Sequence, residues 1–325
     1  MKTQVECPDN QLPETQPGRQ AGRQNLGLSA DLEQTLSRMA TPNGLAFTLW
    51  ALIYMIWWAI GLAAVIGLRG HLLPQLLVSI FLGSQLHAIT VLQHDCGHRS
   101  AYRSVAANLW VGRILAWFIL MPFTTFTELH RRHHGFLGQK DKDPDEWFYE
   151  GGRAQLFLRE GLFMPRFIFL SLKRPDLADS RRKIVAELIG NLALYAALFG
   201  VLLAYGAVDI ALFGFVLPML LLALVFNPIS RGYEHYPMAS LSHDDVCRED
   251  LRFNTITVTS RVIGVLWANI NYHVEHHMYP RVPFYRLPAL HRLFAGKQYL
   301  VAPYPLFKMR SLERNAPLAT EKAVV

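Results

Sequence analysis

From Leu45 to Leu68 the chain reads LAFTLWALIYMIWWAIGLAAVIGL, 24 residues without a charged side chain. A helix of that length reaches about 36 Å, enough to cross a hydrocarbon core of roughly 30 Å with some tilt. Residues 72–92 form a second uncharged run after the turn RGHL, this one carrying Gln75, Gln85 and His87. Residues 187–205 and 210–226 repeat the arrangement around the turn GAVD. A soluble fold would have to enclose such helices on every side, so the pattern predicts two membrane hairpins, four spans in all. An even number of spans puts both termini on one side.

Charge orients the hairpins. Residues 94–184 hold 15 lysines and arginines and residues 228–325 hold 12 more, whereas the two short turns contribute only Arg69. By the positive-inside rule the termini and both basic segments are cytoplasmic, as in a protein of the bacterial inner membrane. The formal net charge of +7 would by itself also suit a nucleic-acid partner, but the apolar runs favour a lipid surface and exclude nucleic acid as the expectation. Three shorter apolar stretches, Val105–Met121, Leu156–Leu172 and Phe253–Ile270, contain arginines that would be costly at mid-bilayer. They are expected to be interfacial or cap helices. Residues 1–40, polar and rich in Gln, Pro and Gly, read as a flexible cytoplasmic tail without a secretory signal, ending in a short helix around DLEQTLSRM. Residues 41–325 then form one membrane domain, with the cap drawn from 94–184 and 228–325. Cys7, Cys96 and Cys247 make no CxxC spacing and are expected as reduced thiols.

The chemistry lies in the histidines. QHDCGHRS follows the second span and spaces His94 and His98 four residues apart; if the helix continues, both imidazoles share one face. ELHRRHHGF presents His130, His133 and His134, and NYHVEHHMYP repeats the HxxHH spacing with His273, His276 and His277 about 140 residues later. A solvated basic face explains neither the recurrence nor the choice of histidine. Imidazole serves Fe, Zn, Ni and Cu, and eight histidines exceed what one tetrahedral zinc can use. Two metal ions are the economical reading. His87, seven residues before His94, falls near the same stripe and reads as a neighbour of the ligands rather than one of them.

The order HDCGH, HRRHH, HVEHH, with an apolar hairpin between the second and third boxes, resembles the membrane fatty acid desaturase and hydroxylase superfamily from Leu45 to Phe294. The resemblance implies an all-α fold of four transmembrane helices and a cytoplasmic helical cap holding two iron ions, with the eight box histidines as ligands. It also implies a further ligand after the fourth span, for which His235 is the candidate. Some members use an asparagine near that histidine; Asn227 and Asn271 are the visible asparagines, but neither stands four residues before His235. Asp95, Glu128, Asp141, Glu234 and Glu275 are carboxylates that could accept the other ring N–H of a ligand and hold its tautomer.

By the same resemblance the chain would use O2 as co-substrate to attack an unactivated C–H bond of a lipid-like molecule, most plainly desaturating an acyl chain. Hydroxylation or ketolation of a carotenoid, sphingolipid or related lipid is the alternative, and a zinc-dependent membrane hydrolase a remote one. No Gly-rich dinucleotide turn, fused haem motif or cysteine cluster supplies electrons. They would come from a ferredoxin or cytochrome b5 type donor with its reductase, drawn to the basic cap, which could equally face anionic membrane lipids. Trp110, Trp117, Trp147 and Trp267 are candidate tunnel residues.

Overall fold

The computed structural model describes residues 30–241, 246–294 and 301–302. In chain order, α1 (Ala30–Met39) is followed by α2 (Gly44–Gly67), α3 (Leu72–His98), α4 (Val105–Trp117), α5 (Phe123–Phe136), α6 (Glu146–Tyr149), α7 (Arg153–Glu160), α8 (Phe163–Lys173), α9 (Arg181–Ala204) and α10 (Val208–Glu234). Beyond α10 come α11 (Leu251–Asn254), β1 (Thr257–Val258), α12 (Arg261–Leu266), α13 (His273–Met278), α14 (Leu287–Leu293) and β2 (Val301–Ala302). The two strands pair in parallel, Thr257 opposite Val301, and are the sole departure from an all-α architecture among the described residues.

Helices α2, α3, α9 and α10 are long and apolar enough to cross a membrane. Asn43 caps α2 by accepting the Ala46 N–H at 3.1 Å. Leu49, Leu52, Ile56 and Ile60 are exposed around α2, which only a lipid surround makes favourable. Helix α3 exposes Leu72, Leu73, Leu76 and Leu77 at its start but is enclosed from Leu82 onward. Gly83 permits its approach to α10, since a Cβ there would lie 2.9 Å from the Phe226 ring and 3.2 Å from the Pro218 carbonyl. At the far end from the cap the two hairpin turns meet, with Arg69 pairing with both carboxylate oxygens of Asp209 at 2.9 and 3.0 Å.

Two helices run past the predicted span ends. Helix α3 continues from 92 to His98, closing with Arg99 in the left-handed region (φ 57°). Helix α10 continues from 226 through Asn227-Pro228 to Glu234. Pro218 and Pro228 each clash, in a regular helix, with the carbonyl four residues earlier. Those residues, Gly214 and Leu224, sit mid-way in the π-helical segments Leu212–Val216 and Leu222–Phe226. The wider turns relieve both clashes without ending the helix.

The cap departs further from expectation. Residues 156–172 divide into α7 and α8 around Gly161. Phe253–Ile270 is no single helix: the β-branched run Thr255–Val258 is extended, and Ser260 then caps α12 by accepting the Ile263 N–H. Helix α1 is the short helix expected around DLEQTLSRM, and it packs Leu36 into a cluster with Tyr272, Val274, Leu287 and Leu290. Of the flexible tail expected over residues 1–40, residues 1–29 lie outside the described residues, as do Cys7 and the side chain of Cys247; Cys96 is a buried free thiol.

Candidate metal centre

Helix α3 carries His94 and His98 one turn apart at its C-terminal end, α5 presents His130, His133 and His134, and α13 presents His273, His276 and His277. His235 follows directly on α10. One ligand atom from each of His94, His98, His130, His134 and His276 falls within a 4.8 Å group. Within it, Nε2 of His276 lies 2.9 Å from that of His94 and 3.1 Å from that of His134, which lies 3.0 Å from that of His130. A second group within the same limit joins His133, His235 and His277. Nε2 of His273 extends it, 2.8 Å from Nε2 of His235 and 3.0 Å from that of His277. The groups abut where the rings of His134 and His277 stack at 4.2 Å.

These spacings fit metal ligation. With metal–nitrogen bonds of about 2.1 Å, ligands at right angles stand roughly 3.0 Å apart, whereas a tetrahedral set spreads to about 3.4 Å. Nε2 spacings of 2.8–3.1 Å are within the range that ligands of one metal ion adopt. Enclosed Nε2 atoms of His98 and His133 meet no hydrogen-bond partner among the described residues, which a polar core would not leave standing. Burial pushes the imidazoles of His130, His134, His235, His273, His276 and His277 well below their usual pKa, with neighbouring positive groups adding to the effect. Burial lowers His133 as well, against the opposing pull of Asp143. Neutral imidazole is the form that binds metal.

The sequence model of the fatty acid desaturase family matches residues 70–306, which contain all nine of these histidines. The chain belongs to the fatty acid desaturase family. It is 26% identical over 231 residues to the sn-1 oleoyl-lipid 12-desaturase of Anabaena variabilis, covering 64% of this chain and 65% of that protein. Identity to the endoplasmic reticulum omega-3 fatty acid desaturase of Nicotiana tabacum is 26% over 267 residues, 73% of this chain and 70% of that protein. With the sphingolipid delta(4)-desaturase/C4-monooxygenase of Rattus norvegicus it is 30% over 233 residues, 66% and 63%. The chain thus spans slightly less than two thirds of the Anabaena and rat proteins.

Around the histidines of this desaturase-family chain, carboxylates are placed unevenly. Asp95 accepts the Phe284 N–H at 2.9 Å and lies 3.5 Å from Nδ1 of His94. Glu234 accepts from Ser230 and lies 3.3 Å from Nδ1 of His273. Glu275 holds Thr257 and His291, tying α13 to β1 and α14. Asp141 sits in an exposed turn at φ 66°, and the carboxylate that meets a box histidine is Asp143, two residues on. Its Oδ1 lies 3.0 Å from Nδ1 of His133, and the same oxygen accepts the Asp145 N–H while Oδ2 accepts that of Gly138. Glu128 pairs with Arg131 and Arg132 on the surface of α5. Asn227 donates to the Glu160 carbonyl and Asn271 to that of Val258, so both pin backbone. His87 joins neither group and packs its ring on Trp267, centroids 5.1 Å apart.

Sequence reasoning passed over a buried network beside the second group. Arg231 binds Asp145 and donates from Nε to Glu160 at 3.1 Å, and Asp145 in turn lies 3.2 Å from Nδ1 of His133. The acidic turn DPDE at 143–146 was the available signal. A narrow cavity of about 20 Å³ borders Phe126, whose ring stacks on His130 at 4.8 Å; Met121, Met164 and Leu222 also line it. None of the four tryptophans does. Trp110 is exposed under Arg113, Trp117 packs on Tyr195, Trp147 lies beneath Arg159 and Arg166, and Trp267 meets His87.

Proposed function

We propose that the chain is an O2-dependent di-iron oxidoreductase that desaturates the acyl chain of a membrane lipid. The observation that carries this reading is the pair of abutting imidazole groups, five and four strong, each with nitrogens converging at ligand–ligand distances. His94, His98, His130, His134 and His276 would hold one iron and His133, His235, His273 and His277 the other. Two irons so held supply O2 chemistry that side chains alone lack.

The chain's own residues set the conditions. Buried neutral imidazoles keep their lone pairs available. Asp143 accepts from, and so orients, His133, and the Glu234 carboxylate stands 3.3 Å from Nδ1 of His273. Met121, Phe126, Met164 and Leu222 place apolar surface beside the His130 ring, with Thr90, Glu160 and Asn227 on the same small cavity. In the net reaction O2, two electrons and two protons take two hydrogens from adjacent carbons, yielding an alkene and two waters. The electrons would come from a ferredoxin or cytochrome b5 type donor docking on the basic cap, with the cap and termini cytoplasmic in a bacterial inner membrane. Residues 41–325 would act as one domain.

The rat relative's name joins desaturase with C4-monooxygenase, which favours hydroxylation as the second outcome. Purified protein supplied with ferrous iron, O2, a donor chain and extracted lipids tests both by mass spectrometry. Loss of two mass units is the expected result. Gain of sixteen with label from O2 assigns a hydroxylase. One zinc per chain with O2-independent product would overturn the proposal.

A further inference from the structure

A cavity of about 710 Å³ opens where α2 and α4 begin, its wall including Arg38, Asn43, Tyr102, Arg103, Ser104 and Arg286. Among the described residues no carboxylate lines it. Arg38 and Arg103 are exposed and form no ion pair among the described residues. Arg286 is held in place by one nitrogen, Nη1, which donates to the carbonyls of Arg38, Met39 and Thr41 at 2.7–3.1 Å. The positive ends of α2 and α4, capped by Asn43 and Ser104, open at the same place, as does the negative end of α1, whose carbonyls Arg286 occupies.

The level of this cavity is set by its neighbours. Helix α2 begins on the cap side, because α3 leaves the bilayer there with His94 and His98. Directly beside the cavity wall, Leu45 is 71% exposed, Val105 57% and Trp110 61%, with Arg113 over the indole ring. An aromatic ring under a guanidinium at the start of an apolar surface is an interfacial arrangement. A strongly positive, hydroxyl-bearing recess therefore adjoins side chains that suit acyl tails.

From this juxtaposition we infer that the recess holds the phosphate of an anionic glycerophospholipid from the cap-side leaflet, with the tails running down over Leu45 and Trp110. The guanidiniums of Arg38, Arg103 and Arg286 recognise the phosphate oxygens, and the hydroxyls of Tyr102 and Ser104 serve the glycerol or headgroup. The inference needs only the membrane fold, not the reaction proposed above. Its test reads lipid binding, so the two fail separately.

The full chain, purified in a neutral detergent, is titrated with phosphatidylglycerol, diacylglycerol and inorganic phosphate, and bound lipid is counted by native mass spectrometry. The comparison is the double variant Arg38→Gln/Arg103→Gln, whose side chains are exposed; unchanged iron content and elution volume establish that it is folded. Phosphatidylglycerol is expected to bind the parent chain and to bind the variant on the order of 20-fold more weakly, each arginine near an anionic headgroup contributing about five-fold. Diacylglycerol should bind both weakly. Equal retention of phosphatidylglycerol by the two proteins overturns the site. Competition by inorganic phosphate at matched concentration makes it a free-anion site and overturns the lipid assignment. If phosphatidylglycerol binds only after Glu6, Asp9 and Glu14 are neutralised in the full chain, the protein's own N-terminal segment is the occupant and the proposal falls.

Discussion

Replacing Asp143 with asparagine removes one charge and one acceptor from the shell of a single metal group. The Asp143 side chain has no solvent exposure and serves three donors, the His133 ring and the amides of Asp145 and Gly138. An asparagine oxygen can keep His133 and Asp145, but its NH2 then faces the Gly138 N–H. A buried donor left unpaired costs about 1–3 kcal/mol. Loss of the carboxylate also makes His133 a weaker ligand, and changes of this kind lower metal affinity by roughly 10–100-fold. Because Asp145 lies 3.2 Å from the same Nδ1, the single variant should fall near the lower end and Asp143→Asn/Asp145→Asn near the upper. Of the two histidine groups His133 belongs to the four-membered one, so the loss should be one-sided. Under a graded chelator the parent should keep two irons per chain at concentrations where Asp143→Asn keeps one, read by metal analysis and Mössbauer spectra. Asp141→Asn, in an exposed left-handed turn that asparagine tolerates, should match the parent. The reasoning is refuted if Asp143→Asn resists chelation like the parent, or if a folded Asp143→Asn loses both irons together.

Three other outcomes follow from the same geometry. His134→Ala should lose iron and turnover together, whereas His87→Ala, whose ring packs on Trp267, should keep two irons; equal iron in both variants would remove His134 from the ligand set. Gly83→Ala should lower stability by about 1–3 kcal/mol through overpacking against Phe226, Leu221 and Pro218, while Gly190→Ala, inside α9 with open space around it, should not lower the thermal midpoint. In the metal-free protein the cap histidines have folded pKa values below the unfolded value of about 6.5, so below that pH the unfolded chain takes up protons that the fold refuses. Stability should hold above about pH 6.5 and decline as pH falls toward 5.5; a thermal midpoint that is flat or rising over that interval would contradict a neutral cluster.

The four spans could be read from the chain because an uncharged run of helical length has one favourable surrounding, and that preference is local. Likewise the i, i+3 and i+4 spacings put His130, His133 and His134 on one helix turn before any packing is considered. Local pattern said less about ends. Helix α10 passes two prolines because π-helical turns absorb the clash within a packed helix, and the Thr255–Val258 stretch is extended because β2 pairs beside it. Nor could spacing assign the histidines to groups: His133 and His134 are adjacent in sequence, yet successive helical side chains point about 100° apart, and they serve different groups once α13 and His235 arrive from elsewhere. The choice of Asp143 over Asp141 was decided the same way, since residues two apart in an irregular turn are equivalent on paper. Only the folded turn, with Gly138 and Asp145 donating to one carboxylate, directs it at His133 and leaves the other in solvent.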